Sequence, residues 1–289
     1  MMLTLAESLQ MSAPADNDQR EMDRRLHRYC EPLFLVDAWI ASGHSDATPN
    51  ATITYVKYGG WCYAVTCRHV IEKLESIQIN PEGRLTLATM YDRSISRYSE
   101  MDSASGHQRT TFKLPTPGGD CEDIDVAIHP LGAIMPWAAE QKGKLPIDLD
   151  AWIEPQWAQM KFACAIGFAT EHKSVARDKV VSPLHVVTEE VASDLGLQYD
   201  KITLSSSLEE PHGRFFSGMS GGAIFGDDGS NDLRPIGIVI AGSPGGSSAW
   251  DQRDPCDAFL TPNDIVITGL LLSPDRFHRW LQTVGCFSA

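Results

Sequence analysis

Short β-rich runs, separated by clusters of glycine, proline, asparagine and serine, recur along most of this chain. In the first half they cover residues 33–41, 51–57, 61–66, 84–91 and 110–114. In the second half they cover residues 161–167, 179–191, 201–205, 222–225, 236–241 and 258–260. The polar segment 93–119 is typical of a long surface loop or a hairpin, and the segment 242–255 is typical of a loop. This pattern of short strands separated by turn residues predicts a β-sandwich or a β-barrel and argues against a fold of alternating strands and helices.

Helical patterns are confined to the two ends of the chain. Residues 16–29 are mostly charged, and their apolar positions are Met22, Leu26 and Tyr29. That spacing predicts an amphipathic helix. At the other end Ser273 can cap a helix and Pro274 suits its first turn. The apolar face of this second helix consists of Phe277, Trp280 and Leu281.

The bulk composition excludes some classes of partner. The chain has 289 residues and a net charge of −14. A groove for nucleic acid needs clustered lysine and arginine, so we expect no nucleic-acid partner. A run of 18 apolar residues is absent from the sequence, which predicts no membrane span.

The cysteines indicate a reducing compartment. There are seven, an odd number, without the spacing of a disulfide framework. Cys62 and Cys67 are five residues apart, so in one strand they would point to opposite faces and could not pair. Residues 1–10 have no basic region and contain Glu7, unlike a secretory signal. We therefore expect free, mostly buried thiols and a cytoplasmic location.

Three segments each place one reactive side chain at the end of a strand or in a tight turn. In residues 60–71 a buried strand leads to His69, after which a short helical turn is predicted. Asp125 stands directly before the apolar residues 126–128, and Ser220 lies among glycines in residues 218–222. A serine hydroxyl needs a neighbouring imidazole to accept its proton, and a carboxylate orients that imidazole. The N–H groups of Gly218 and Ser220 could then stabilise an oxyanion.

Three alternatives accompany this interpretation. Asp123 lies two residues from Asp125 and would share its face of a strand, but only Asp125 is followed at once by the apolar run. Cys62, Cys67 and His69 could suggest a zinc site, although no second pair with ligand spacing follows. Residues 218–222 also match the nucleophile elbow of α/β-hydrolases, which requires a helix after the serine and a downstream acid and histidine. Neither a metal nor another cofactor is predicted.

These segments resemble the trypsin-like serine peptidases, in particular the protease domain of the bacterial HtrA-type enzymes. The matching motifs are Thr-x-x-His-Val at residues 66–70, an Asp-x-Ala-Ile strand at 125–128 and Gly-x-Ser-Gly-Gly at 218–222. Weaker similarities lie at residues 165–168 and 236–239. The resemblance covers residues 33–262, and no PDZ domain is expected, since fewer than 30 residues follow Pro262.

The resemblance implies an all-β fold of two antiparallel six-stranded barrels. We divide the chain into an N-terminal extension (1–32), a first barrel (33–140), a second barrel (141–272) and a C-terminal helix (273–289). It also implies a serine endopeptidase with His69, Asp125 and Ser220 as its triad and with peptides or proteins as substrates. Met219 stands where secreted relatives carry an aspartate, so activation by a newly cut N-terminus is not expected.

Substrate preference is predicted from two positions. Arg214 lies six residues before Ser220, where trypsin relatives keep the residue at the base of the primary pocket, and a cation there would favour an acidic side chain before the cut. Alternatively, Arg214 is a surface residue in a loop whose length differs from that of the trypsin relatives. Gly242 falls where the family keeps a glycine at the pocket wall.

A non-catalytic interpretation stays open. The long loops at 93–119 and 242–255 could cover the cleft of a latent module, which would act as a binding or regulatory component of a larger cytoplasmic system. An activating protein partner could recognise the N-terminal helix, although packing of that helix on its own barrel explains it equally well.

Overall fold

The computed structural model describes residues 21–22, 24–37, 51–77, 85–91, 94–101, 108–116, 124–132, 142–160, 162–176, 179–191, 200–210, 216–230, 232–242 and 263–286. The strands of the N-terminal half are β1 (Cys30–Asp37), β2 (Ala51–Tyr58), β3 (Trp61–Thr66), β4 (Leu85–Tyr91), β5 (Ser94–Arg97), β6 (Ser99–Met101), β7 (Gln108–Thr110), β8 (Ala127–Gly132) and β9 (Ile147–Asp148). Those of the C-terminal half are β10 (Phe162–Gly167), β11 (Ser174–Ala176), β12 (Lys179–Val181), β13 (His185–Val191), β14 (Lys201–Ser207), β15 (Ala223–Asp227), β16 (Arg234–Gly242) and β17 (Asp264–Leu271). The helices are α1 (Arg68–Ile77), α2 (Pro274–Thr283) and the 3-10 turns Trp157–Gln159 and Thr170–His172.

The C-terminal half contains a closed antiparallel barrel. Its strands follow the order β10-β13-β14-β17-β16-β15, and β15 returns to pair with β10. Closure pairs each of the six strands with two neighbours along at least part of its length. The predicted mostly β fold and a closed six-stranded barrel in the second half are therefore confirmed.

The N-terminal half forms a seven-stranded sheet in the order β5-β4-β1-β2-β3-β8, with the short β9 parallel to β2. Within the described residues this sheet does not close into a ring. The first six residues of β2 are all buried, so both faces of this strand are covered. β2 is thus the central strand from which side chains reach the other half of the molecule.

Several elements differ from the sequence-based prediction. The segment after His69, predicted as a short helical turn, is the ten-residue helix α1. The run 179–191 is split into β12 and β13, because Pro183 lies between them and cannot donate a backbone hydrogen bond. β17 was not predicted, while the predicted strand 258–260 lies outside the described residues.

The predicted C-terminal helix is confirmed and packs between the two halves. The Ser273 hydroxyl accepts a hydrogen bond from the N–H of Arg276 at 3.3 Å, which caps α2. The Phe277 ring lies 5.5 Å from the ring of Tyr63 in the N-terminal sheet. At the other end of the chain, residues 21, 22 and 24–27 are helical and Leu26 is buried. Among the described residues, the helices lack the length and apolar character needed to cross a bilayer.

A buried polar cluster attaches the N-terminal segment to residues 142–145. The Lys144 ammonium donates to the carbonyl oxygens of His27 and Cys30, each at 2.7 Å, and approaches His27 Nδ1 at 3.2 Å. The Glu31 carboxylate accepts from the Tyr55 hydroxyl at 2.6 Å. Burial, and then the nearby Lys144 ammonium, lower the pKa of His27 to about 4. His27 is therefore neutral near pH 7.

The neutral state of His27 predicts a pH dependence of stability. In the unfolded chain the imidazole has its ordinary pKa of 6.5, so the unfolded state takes up this proton first as the pH falls. The contribution of His27 is fully present above pH 6.5 and is lost as the pH approaches 4. We measure the free energy of unfolding in urea at several pH values. Wild type should lose stability between pH 6.5 and 4 through His27, and His27→Gln should lack this loss. The exposed His172→Gln is the control, and equal declines in wild type and His27→Gln would refute the assignment.

Candidate active site

Strand pairing brings the predicted histidine and aspartate together. β3 and β8 are antiparallel, and Thr66 at the end of β3 is paired with Ala127 at the start of β8. The chain continues from Thr66 into α1, whose second residue is His69. Asp125 lies two residues before Ala127, so the register places it beside the first turn of that helix.

Asp125 holds His69 through both carboxylate oxygens. His69 Nδ1 lies 2.6 Å from Oδ2, and the backbone N–H of His69 donates to Oδ1 at 3.0 Å. Burial raises the pKa of the Asp125 carboxyl, but the hydrogen bonds from His69 outweigh it and hold that pKa below its ordinary value. An ionised carboxylate can only accept, so Nδ1 carries the hydrogen and Nε2 is left as a proton acceptor. The competing Asp123 lies outside the described residues.

Ser220 sits in a tight turn of residues 216–222, which we call the nucleophile turn. The N–H of Met219 donates to the carbonyl of Phe216 at 3.0 Å, and that of Gly222 to Met219 at 2.8 Å. Gly218 has a φ of 97°, and a Cβ there would lie 2.6 Å from the Phe168 carbonyl oxygen. The turn leads directly into strand β15. The helix that an α/β-hydrolase elbow requires is therefore not present at this position.

Threonines of β2 fix the nucleophile turn from the other half of the molecule. The Thr52 N–H donates to the carbonyl of Ser220 at 3.0 Å, and its hydroxyl donates to that of Gly218 at 2.8 Å. The same hydroxyl accepts from the N–H of Phe168 at 2.9 Å. The Thr54 hydroxyl donates to the Gly221 carbonyl at 2.7 Å. Three carbonyls of the turn are thus held in fixed directions.

The two backbone N–H groups proposed for the oxyanion have no acceptor among the described residues. Neither the N–H of Gly218 nor that of Ser220 donates a hydrogen bond there. The carbonyls that share peptide planes with these two N–H groups, those of Ser217 and Met219, accept from the N–H groups of Thr170 at 2.7 Å and Gly222 at 2.8 Å, which fixes both planes. Unengaged donors in a fixed turn are what stabilisation of a developing oxyanion requires.

Ser220 and His69 line the same two cavities but are not hydrogen-bonded to each other in the described structure. The Ser220 hydroxyl is oriented to the carbonyl of Ile240, at 3.5 Å. The α1 cavity, of about 90 Å³, is lined by Ala51, His69, Val70, Lys73, Leu74, Ser217, Gly218 and Ser220. The β16 cavity, of about 320 Å³, is lined by His69, Phe216, Ser217, Ser220, Ile240, Ala241 and Gly242.

Of the two predicted specificity positions, the structure describes one. Gly242 ends β16 and lines the β16 cavity. A Cβ on Gly242 would lie 2.7 Å from Cβ of Phe216, so glycine lets that ring pack against the strand. Arg214 lies outside the described residues.

Three residues at the site carry possible metal ligands, although their hydrogen bonds and protonation do not suit a metal. One ligand atom each from Cys67, His69 and Asp125 lies within 4.8 Å of the other two, whereas Cys62 is not in this group. The Cys67 thiol donates to the Val239 carbonyl at 3.2 Å. Burial, and then the Asp125 charge, raise the pKa of this thiol well above its ordinary value. A metal would need the thiolate and would compete with the His69–Asp125 bond.

The bonds of Thr52 generate a stability prediction. Thr52→Val keeps the shape of the side chain but removes the hydroxyl that serves two buried backbone groups. We expect the free energy of unfolding in urea to fall by about 2–3 kcal/mol, whereas Thr52→Ser should cost at most about 1 kcal/mol for the lost methyl group. The same Thr→Val change at the exposed Thr188 is the control. A Thr52→Val protein as stable as Thr52→Ser would show that the hydroxyl does not fix the turn.

Of the comparisons with known proteins, the one with solved structures found chains that are similar to this one. A thermostable serine protease, AL20, from an extremophilic microorganism is 11% identical with a TM-score of 0.45, over 90% of this chain and 98% of that one. The protease Anisep from Arthrobacter nicotinovorans is 11% identical with a TM-score of 0.43, over 89% of this chain and 96% of that one. No family model and no curated protein matches the sequence. Support for a function therefore comes from the residues of the site itself.

Proposed function

We propose that this chain is a serine endopeptidase with His69, Asp125 and Ser220 as its catalytic triad. One observation carries the proposal: the His69 ring, oriented by an ionised Asp125, shares both of its cavities with Ser220. The unengaged N–H groups of Gly218 and Ser220 support it, because they supply the oxyanion site that acyl transfer needs.

The reaction would proceed through an acyl-enzyme. Ser220 Oγ attacks the carbonyl carbon of the substrate while His69 Nε2 takes the hydroxyl proton. The N–H groups of Gly218 and Ser220 stabilise the resulting oxyanion. His69 then gives its proton to the leaving amine nitrogen as the C–N bond breaks. Water, activated by the same imidazole, releases the acid and restores Ser220.

The edge of β16 supports a peptide as the substrate. The N–H of Val239 donates to the carbonyl of Gly222 at 2.7 Å, and its carbonyl accepts from Gly221 at 2.8 Å. Beyond Val239, β16 remains paired with β17 but has no strand on the side of Ser220 among the described residues. The free edge at residues 240–242 lines the β16 cavity. An extended peptide can pair with such an edge through backbone hydrogen bonds.

The two-barrel architecture belongs to the same proposal. We infer that the strands of the N-terminal sheet within residues 33–140 form the first barrel and that the closed ring lies in the second (141–272). His69 and Asp125 would come from the first and Ser220 from the second, as in the HtrA-type protease domains that the three motifs resemble. Arg214 and Gly242 would border the pocket for the residue before the cut, with Arg214 favouring an acidic side chain.

A latent or non-catalytic module is the second candidate, and the orientation of Ser220 favours it. The hydroxyl is directed to Ile240 at 3.5 Å rather than to His69. Such a module would bind or regulate within a larger cytoplasmic system and could await an activating protein partner. The cytoplasmic location is supported by the described cysteines, since Cys30, Cys62, Cys67, Cys164 and Cys286 are all free thiols.

Labelling with a fluorophosphonate probe distinguishes the two candidates. The probe reacts only with an activated serine, so we expect wild type to be labelled and both Ser220→Ala and His69→Ala to be unlabelled. Urea unfolding of each variant controls for the fold. An absence of labelling in folded wild type would favour the latent module, and labelling of Ser220→Ala would contradict the nucleophile assignment.

The role of Asp125 predicts a large kinetic effect without loss of the nucleophile. Asp125→Asn keeps the size of the side chain but can present its amide to Nδ1 and select the wrong tautomer of His69. We expect the labelling rate to fall on the order of 10³- to 10⁴-fold. Asp148→Asn, which changes another carboxylate of the N-terminal sheet, is the control. A loss below tenfold would contradict the orienting role.

A further inference from the structure

The α1 cavity is a small recess beside Ser220 whose wall is one face of a helix. Four of its lining residues, His69, Val70, Lys73 and Leu74, come from α1. Residues four apart lie one turn above each other on a helix. Lys73 therefore stands one turn beyond His69, on the same face and in the same cavity.

The charge of Lys73 is not neutralised by a neighbour in the described structure. On the same helix Arg68 pairs with Glu72 at 3.7 Å, and the Glu75 carboxylate accepts from the N–H of Thr110 at 3.4 Å. No ion pair of the described residues includes Lys73, whose side chain is exposed. In a chain with a net charge of −14, this leaves an available cation next to the proposed nucleophile.

The remaining lining groups suit a short side chain with a polar end. Ala51, Val70 and Leu74 supply apolar surface, while Ser217 adds a hydroxyl. The volume of about 90 Å³ is small, which suits one short side chain. A carboxylate on one or two methylenes could reach Lys73 and place its carbon atoms against the apolar surface.

The α1 cavity and the β16 cavity meet at the reacting groups and otherwise have different walls. They share only His69, Ser217 and Ser220. If the acyl part of a peptide pairs with the free edge of β16, the α1 cavity, which also borders His69 and Ser220, is available to the part that leaves. His69 protonates the leaving nitrogen in the proposed reaction, so that nitrogen lies next to the His69 ring, which forms part of the wall of the α1 cavity.

We propose that Lys73 makes the α1 cavity a subsite for an acidic residue directly after the cleaved bond. The inference rests on the proposed endopeptidase function and adds a specificity-determining residue to it. The substrate class is a peptide with aspartate or glutamate on the leaving side of the scissile bond. An exposed ion pair of this kind, strengthened by the Ser217 hydroxyl, should favour an acidic residue over its amide about threefold to tenfold.

The test is digestion of a peptide library by the full chain, with cleavage sites identified by mass spectrometry. We compare wild type, Lys73→Met, Lys73→Glu and Ser220→Ala, with Lys201→Met as the matched control because the exposed Lys201 lines neither cavity. The readout is the ratio of Asp to Asn, and of Glu to Gln, directly after the cut. This ratio is measured within each variant, so a change in overall rate cancels.

We expect wild type and Lys201→Met to prefer the acidic residues, Lys73→Met to lose the preference and Lys73→Glu to favour lysine and arginine. The wild-type preference should shrink as the salt concentration rises, because exposed charges are screened. Cleavage by wild type without this preference, or with one that persists in Lys73→Met, overturns the subsite alone. No cleavage and no fluorophosphonate labelling by wild type, or equal cleavage by Ser220→Ala, overturns the proposed function itself.

Discussion

Three hydrogen bonds from Thr52 and Thr54 to the nucleophile turn join the two halves of the molecule at the site. A single buried hydrogen bond contributes only about 1 kcal/mol, but a buried carbonyl without a donor costs about 1–3 kcal/mol. The turn can therefore hold its conformation only when β2 lies against it. Gly221 allows this approach, since a Cβ there would lie 2.1 Å from the Thr52 carbonyl oxygen. The nucleophile turn is thus a property of both halves together.

Apolar packing supports the same junction. One buried cluster contains residues from β2 and β3, from β10 and β15, and from α2. The α2 helix follows the last strand of the barrel, yet its Phe277 ring packs against Tyr58 and Tyr63 of the N-terminal sheet at 5.8 and 5.5 Å. The C-terminal helix thereby holds the sheet against the barrel. Polar bonds set the geometry at the site, while this packing brings the two surfaces into contact.

The sequence predicted what depends on local pattern and missed what depends on distant partners. The cap at Ser273, the apolar face of α2 and most strands follow from neighbouring residues. β17 was not predicted, because its position in the barrel depends on pairing with β14 and β16, which lie far from it in the sequence or across a long loop. Thr52 and Thr54 read as ordinary β-branched strand residues, and their partners lie 166 and 167 positions away. Lys73 could have been identified only from the length of α1, which was predicted as a single turn.

The parts of the site differ in how firmly the structure holds them. The directions of the Gly218 and Ser220 N–H groups are set by peptide planes whose carbonyls are hydrogen-bonded to the backbone of Thr170 and Gly222. The His69 imidazole and backbone N–H are held by the two oxygens of Asp125. Among the described residues, the Ser220 hydroxyl has a single contact, of 3.5 Å, to the Ile240 carbonyl, at the limit of a hydrogen bond. Rotating the hydroxyl away from the Ile240 carbonyl changes one staggered side-chain torsion of Ser220. This rotation breaks no other hydrogen bond among the described residues. A latent and an active state would therefore differ by the rotamer of one serine and by access to its two cavities, with the backbone of the nucleophile turn unchanged.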